Sequence, residues 1–563
     1  MNKKWQVCNS DSEKIKYVAK KYNLSELLAT IIVNRNIDDT EGSIKTFLEP
    51  TRNDFHDPFE MPDMNKAVNR MTEAMKNKEK VIIYGDYDVD GITSTMVLKS
   101  FLDENGLEVG YRIPNRLNEG YGLNMNAVKE IANEGYKLII TVDCGISGIE
   151  EAEYAKELGM DVIITDHHEP LETIPDVIAV VDCKRVDNKY PFKNLAGCGV
   201  VFKLIQALSK TMNLDEKSYL KYLDVVCIGT ISDIVPLVDE NRVITKLGLK
   251  LANQTRNYGL ACLFRSCGFK KIDSNSVSFG VAPRINACGR MGFEEEALKL
   301  FLSKNIEDAK NITVKLNEFN NKRQEIEKNI YQEALKQIEE KKLYNNNVIV
   351  VSGENWHHGV IGIVASKITD LYYKPSILLC YEDDMATGSG RSVQGFDLHE
   401  ALCEVSDLLE KYGGHEMAVG LNLKKNKIEE LSLRINEIAK KHHTEELVPV
   451  IKVEKAIKLA NINIEIVESL SLLEPFGEEN RMPLFLFKNL KIDSIRTLSD
   501  GKHLKLTLKE DRIIIGAIGF NLGYLINEFL LGDKVDVVGV LEINEFNGNK
   551  NIQINIKDIR KGI

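Results

Sequence analysis

The sequence predicts an α/β fold, with two α/β lobes joined by a long connector helix and followed by a C-terminal β-barrel of the oligonucleotide-binding (OB) type. Three observations predict it. Short, fully apolar, β-branched runs alternate with helix-like segments in two separate regions, the pattern of buried parallel sheets. Between those regions, residues 305–343 are highly charged and contain neither Gly nor Pro. From about residue 450, alternating strands are joined by Gly, Asn and Asp turns, which fits a small barrel.

The elements follow in order. Residues 1–75 read as a helical segment expected to pack on the first lobe, with LSELLATIIVNRNI and NKAVNRMTEAMKNK as its amphipathic parts. The first lobe spans 76–300. Its strand signals, VIIYGDYDVDG (81–91), KLIITVDCG (137–145) and DVIITDHHEP (161–170), each end in acidic or small residues. The connector occupies 301–345, where Ile312, Leu316, Phe319, Ile326 and Ile330 recur at helical steps and Arg323 takes the missing seam position. The second lobe covers 346–445, opening on NVIVVSGENWHHGVIGIVASKI, and the barrel covers 446–563.

Composition narrows the function. At roughly 100–200 residues per domain, 563 residues allow three to five domains. No apolar window approaches the length of a membrane span, and the start has no apolar core of a secretory signal, so a cytoplasmic protein is expected. The 10 cysteines form no CxxC pair, which excludes a zinc knuckle or a redox pair. A net charge of −11 weakly disfavours a polyanionic partner. Screening over about 10 Å still permits a local basic groove.

The chemistry-bearing residues gather at strand ends. Asp86, Asp88 and Asp90 alternate in GDYDVDG, directly after a strand. Three carboxylates so close repel one another unless a cation sits among them. An EF-hand loop is excluded, because its twelfth position, Val97, is not a Glu. Asp143 ends the next strand, Asp166-His167-His168 the one after, and Asp233 follows a further apolar run expected at the same end of the sheet. Ligands of parallel sheets collect beyond the carboxyl ends of the strands. Carboxylates with one or two imidazoles and no thiolate suit Mn²⁺ or Mg²⁺ rather than structural zinc. There are enough ligands for two ions, and the expected chemistry is metal-assisted hydrolysis at phosphorus.

GDYDVDG, VDCG, TDHH and ISD, in that order, resemble the metal motifs of the DHH phosphoesterase superfamily. IPNRLNEGYGLN, APRINACGRMG, LNEFNNKRQEIE, WHHGVIGIVASK, GSGRS and GGHEMAVG extend the resemblance over almost the whole chain, to the bacterial single-strand-specific exonucleases of that superfamily. The resemblance implies two divalent ions, Mn²⁺ or Mg²⁺, held by Asp86, Asp88, Asp90, Asp143, His167 and Asp233. Asp143 and His168 would be the catalytic pair, with His168 orienting the scissile phosphate or its leaving group. Substrate contacts would come from Arg116, Arg284, Asn286, Arg290, Ser389, Arg391, Gly413, Gly414 and His415, since guanidinium forks and hydroxyls match phosphate oxygens. Arg116 and Arg391 would lie near the substrate's 5′ end.

The expected activity is 5′-to-3′ hydrolysis of single-stranded DNA to mononucleotides, in repair and recombination. Single-stranded DNA is the implied partner, with a helicase and a single-strand-binding protein beside it. Two alternatives remain open at this point: a phosphodiesterase for oligoribonucleotides or cyclic dinucleotides, and a non-catalytic DNA-binding scaffold derived from the same superfamily.

Overall fold

In the computed structural model, which describes residues 3–37, 40, 42–116, 118–442, 447–546 and 548–562, the first apolar runs form an all-parallel sheet. Its strands are β1 (Val81–Tyr84), β2 (Val109–Arg112), β3 (Leu138–Val142), β4 (Asp161–Asp166) and β5 (Ala179–Asp182), in the order β2-β1-β3-β4-β5. Val81 pairs with both Val109 and Leu138, and Ile163 with Ala179. β1, β3 and β5 are buried along their whole length, so they read as continuous apolar runs instead of alternating ones. Beside the sheet, α1 (Val89–Glu104), α2 (Gly197–Thr211) and α3 (Leu223–Ser232) pack on one another. The chain leaves β1 for β2 on one side and returns to β3 on the other. A crevice therefore opens at the carboxyl ends of β1 and β3, the switch point of a doubly wound sheet.

One expectation fails here. VVCIGTIS, the run before Asp233, is α3 and not a strand, and Asp233 is its C-terminal cap. Seven consecutive residues of that helix, Val225–Ile231, are buried, so the helical period left no polar stripe to read.

The same unit, made of His56–Val235 and Gly248–Pro449, contains the second lobe. The helix α4 (Ala282–Arg290) continues from a π-helical turn at Val277–Val281. The connector is a single 35-residue helix, α5 (Ile306–Glu340). Its buried line is Thr313, Leu316, Asn320, Arg323, Glu327, Ile330 and Ala334, while Ile312, Phe319 and Ile326 lie half-buried at the flanks. The seam thus holds a polar trio. Arg323 donates to Asn320 at 2.5 Å and pairs with Glu327, which also pairs with Lys367.

Beyond α5, β6 (Ile349–Glu354), α6 (His358–Tyr372), β7 (Ser376–Glu382), β8 (Met385–Arg391), β9 (Leu409–His415) and β10 (Ala418–Lys424) build a mixed sheet in the order β9-β10-β8-β7-β6. Only β6 and β7 run parallel.

The other unit is made of Met1–Phe55, Pro236–Leu247 and Val450–Ile563. Strands β11 (Phe485–Leu498), β12 (His503–Glu510), β13 (Ile513–Gly519), β14 (Lys534–Phe546) and β15 (Asn549–Lys561) close into a five-stranded barrel. They are ordered β11-β12-β13-β15-β14, β14 pairs back to β11, and the β13–β15 pairing is parallel. This is OB-type architecture. The N-terminal segment was expected to pack on the first lobe, but residues 1–55 share the barrel's core instead. Ile15, Val18, Leu28, Ile31, Ile32 and Phe47 join Phe485, Phe487, Leu504, Leu506 and Val535 in one cluster. An amphipathic helix carries an apolar face whichever core receives it, so sequence pattern does not choose between them. The lobe–barrel boundary expected at 445/446 lies outside the described residues.

Candidate active site

The switch-point crevice collects Asp86, Asp88, Asp90, Asp143, His167, His168 and Asp233. Asp88 caps α1, its carboxylate accepting from the N–H groups of Asp90 (2.8 Å) and Gly91 (3.1 Å). Asp90, one residue inside the helix and fully buried, accepts from Gly197 N–H (2.6 Å) and Cys198 N–H (2.9 Å) at the N-terminus of α2. Helix N-termini carry partial positive charge, so a buried carboxylate is tolerated there. Asp143 follows β3, with its carboxylate against Gly197, where a Cβ would fall 2.6 Å from Asp143 Oδ1. Only glycine fits.

His167 follows β4. Its Nε2 lies 3.1 Å from Asp143 Oδ1, 3.8 Å from Asp90 Oδ2 and 3.7 Å from Asp233 Oδ2. His167 Nε2, Asp143 Oδ1 and Asp86 Oδ1 are buried atoms without a hydrogen-bond partner among the described residues. Burial pushes the His167 imidazole down to about 4, so the ring is neutral and offers a lone pair at neutral pH. Burial, reinforced by the neighbouring carboxylates, pushes Asp86, Asp143 and Asp233 well above the usual carboxylate range. Unpaired buried lone pairs converging on one space are what a hard cation satisfies. Potential ligand atoms fall into the triads Asp86–Asp88–Asp143 and Asp90–His167–Asp233, with Asp143–His167–His168 bridging them, each set within 4.8 Å. The donor set fits two divalent ions sharing a carboxylate, and it contains no thiolate.

His168 plays another part. Its Nδ1 is 2.7 Å from Asp166 Oδ1 and 3.1 Å from the Tyr121 hydroxyl, which itself donates to the Asp143 carbonyl. Asp166 is buried and also accepts from Ile146, His167 and His168 N–H groups. Burial would raise Asp166, but the His168 hydrogen bond and charge leave it below the usual range. Burial alone would lower His168, and Asp166 more than reverses that. With Nδ1–H given to Asp166, Nε2 accepts in the neutral ring and donates in the imidazolium that Asp166 favours.

A cavity of about 300 Å³ opens over these groups, and Arg116, Asn286 and Arg290 face the acids across it. Asn286 also accepts from Val89 N–H, tying α4 to the aspartate loop. Arg116 stacks over Tyr87 at 4.9 Å. Burial, then repulsion from Arg116, Arg323 and Arg391, pushes Arg290 down to about 9. Burial and Arg116 likewise lower Arg391. Arg391 is held by Ser389 Oγ (3.0 Å) and the Gly390 carbonyl (2.7 Å). Cations crowded beside a cavity want an anion in it.

The remaining motif residues lie elsewhere. Arg284 is bound to Asn317 (2.7 Å) and the Gly280 carbonyl (2.6 Å), so it ties α4 to α5 and does not line the cavity. Gly413, Gly414 and His415 are exposed on edge strand β9. Register places His415, Ala418 and Arg391 in one row, and Gly413, Gly420 and Ser389 two rows on, on the same face. Directly opposed residues share a face, so the GGH segment continues the Ser389–Arg391 surface about 10 Å away. Trp356 is packing: it is buried and donates to Glu333 at 2.7 Å. Tyr84, buried in the sheet, donates to the Gly122 carbonyl and so steadies the loop bearing Tyr121. Sequence reasoning gave no role to Asp166, Tyr121 or Gly197. Asp166 and Tyr121 sat inside quoted motifs, and only tertiary contact reveals what they hold.

A doubly wound lobe with an acidic, imidazole-bearing switch point, faced by phosphate-sized arginine forks, defines a phosphoesterase of the DHH type. The comparisons carry this further. Residues 80–230 match the DHH family N-terminal domain, 345–441 the DHHA1 domain and 453–558 the RecJ OB domain. The single-stranded-DNA-specific exonuclease RecJ of Bacillus subtilis is 40% identical over 561 residues, covering 99% of this chain and 70% of that protein. RecJ of Escherichia coli is 31% identical, covering 93% of each. The crystal structure of Thermus thermophilus RecJ in complex with Mn²⁺ superposes with a TM-score of 0.88 at 29% identity, over all of this chain and 80% of that one. The chain belongs to the RecJ family.

Proposed function

We propose that this chain hydrolyses single-stranded DNA from its 5′ end, releasing mononucleotides, in DNA repair and recombination. One observation supports end recognition above all: Arg116, Arg290 and Arg391 crowd beside the acidic centre, where burial and mutual repulsion lower Arg290 and Arg391. A terminal phosphate seated among them brings the end of the strand beside the acids that line the same cavity. When bound, divalent ions at the two triads activate water and neutralise charge at the scissile phosphate. The chain's own groups do the rest. Asp143 and His167 hold the centre rigid, and His168, oriented by Asp166 and Tyr121, donates a proton toward the leaving oxygen. The Ser389–Arg391 face and the bare backbone of Gly413 and Gly420 beside it, where an added Cβ would meet nothing within 4 Å, give the strand a flat floor. The resemblance supplies the polarity. A helicase to open duplex and a protein that coats the exposed strand are the fitting partners for such a nuclease.

The test uses purified chain with Mn²⁺ and an oligonucleotide labelled at either end, beside its duplex and an RNA copy. Immediate release of a 5′-labelled mononucleotide from the single strand, with a 3′ label persisting on a shortening ladder, is expected. Turnover of two- to five-residue oligonucleotides alone would assign the chain to the oligoribonucleotide phosphodiesterases instead. Arg391→Ala is expected to weaken binding of a 5′-phosphorylated strand by about 10- to 100-fold, as befits one lost bidentate charge-assisted contact, with no change in metal binding.

A further inference from the structure

The acidic chain carries one strongly basic stretch. Between Glu240 and Glu294 there are nine Lys and Arg and a single acid, Asp273. Asp273 is occupied locally, accepting from Ser276 N–H (2.8 Å) and Oγ (2.7 Å). Arg290, within this stretch, already faces the cavity; the other end of the same helical path does not.

That path runs back from Arg290 along α4 into the π-helical turn Val277–Val281, where Phe279 is 81% exposed. At 1.5 Å per residue the separation is ~17 Å. Phe269 lies against the same turn: a Cβ on Gly280 would meet the edge of its ring at 2.4 Å, so glycine there lets the ring approach the backbone. Phe269 is itself 37% exposed. Arg265, in the last turn of the helix Tyr258–Cys267, and Lys270 flank it, both exposed. Phe279 is left to solvent where burial would reward it, and Phe269, against the same turn, keeps over a third of its surface exposed. A π-helical turn is a costly local geometry that concentrates at functional sites.

We propose that Phe269 and Phe279, with Arg265 and Lys270, form a second single-strand contact outside the cavity. Bases stack on the rings, and the two cations meet the backbone phosphates. Aromatic faces interleaved with positive charge are the general means of holding a single strand without reading its sequence. Continuity with α4, whose Asn286 and Arg290 line the cavity, places the patch where a strand extends away from its bound end. The proposal rests on the single-strand nuclease reading, and the experiment separates the two.

Full-length protein is titrated in EDTA with fluorescent, 5′-phosphorylated oligonucleotides of 4 and 20 nucleotides, and Mn²⁺-supported kinetics are then measured on both. The F269A/F279A variant is expected to bind the 20-mer at least about fivefold more weakly and to raise its KM by a similar factor. Binding and kcat for the 4-mer stay unchanged. Arg265→Ala and Lys270→Ala each lower the slope of log affinity against log salt by about 0.7 for the 20-mer. Both rings are exposed, so the variants should fold, and an unchanged circular dichroism melt verifies it. Equal loss on both lengths, or no loss on the 20-mer, overturns the patch while leaving the nuclease reading intact. If wild-type protein neither binds nor cleaves the 20-mer, the nuclease reading itself fails. If the variants lose binding to a protein and not to the 20-mer, the patch is a protein-docking surface and the proposal is wrong.

Discussion

Asp143 sits in the left-handed region, with φ of 60°, and its N–H donates to the Thr165 carbonyl. Asp and Asn are the side-chain-bearing residues most at ease there, so the turn after β3 can aim a carboxylate into the crevice that most residues could not occupy. The cost of this arrangement is electrostatic: Asp86, Asp90, Asp143 and His167 are buried together, and all but Asp90 carry an unpaired atom. Asp143→Asn keeps the backbone preference and removes one charge. It is expected to lower Mn²⁺-dependent turnover by at least about 10³, the scale of several kcal/mol of lost charge stabilisation. In EDTA its melting temperature should equal or exceed wild type's, because one repelling charge is gone. Added Mn²⁺ should raise the wild-type melting temperature, by about 2.7 kcal/mol of stabilisation at a hundredfold excess over Kd, and the variant's much less. A variant with normal turnover, or an equal Mn²⁺ shift in both proteins, would falsify the assignment. At this scale the acids of the crevice were legible in sequence, because each follows an apolar run in chain order. Asp166 and Tyr121 were not, since their role is to hold His168 and exists only in three dimensions. Arg284 was over-read: a guanidinium in a motif looks the same whether it faces a phosphate or, as here, Asn317 and a carbonyl.

Helix α5 was visible as an element, and its buried line only in part. Leu316, Arg323 and Ile330 are buried as the seam predicts, whereas Asn320 and Glu327 are buried in place of Ile312, Phe319 and Ile326. Hydrophobic periodicity misplaces a seam whenever charged residues occupy it and satisfy one another. The consequence is a specific vulnerability. Removing one partner of a buried pair strands the other charge, which typically costs about 3–5 kcal/mol. Glu327→Ala should therefore destabilise the unit strongly, and the more so because Arg323 already repels Arg290. Replacing both residues, as R323M/E327M, should cost distinctly less, since a paired apolar substitution leaves no orphan charge. Denaturant melts of the three variants decide the matter. A single Glu327→Ala change within about 0.5 kcal/mol of wild type, the range of an ordinary surface substitution, would show that the pair is effectively solvated.

At the scale of the chain, two lobes, a connector and a barrel could all be read from the order of strand and helix patterns. What could not be read was that the barrel's unit is assembled from three separated segments, 1–55, 236–247 and 450–563. The middle segment shows how. Arg242 is fully buried there and gives its donors to carbonyls of Leu472, Leu473 and Glu474 and of Phe47, over whose ring it also lies at 3.8 Å. Lys246 reaches the carbonyls of Leu48 (2.6 Å) and Leu472 (3.0 Å). Two cations thus join the N-terminal helices to the residues preceding the barrel through backbone carbonyls. Residues 450–563 expressed alone would lose Leu28, Ile31, Ile32 and Phe47 from their core, at about 1.5–3 kcal/mol for each large side chain left unburied. They would also leave the Leu472, Leu473 and Glu474 carbonyls without their donor. Marginal stability of about 5–15 kcal/mol does not survive such a loss. The fragment is expected to bind a hydrophobic dye and melt without cooperativity. Fusing residues 1–55 ahead of it through a flexible linker should restore a sharp transition, and adding 236–247 should sharpen it further. A cooperative melt from 450–563 alone would mean that the barrel strands suffice for a core, and that the N-terminal helices only cover it.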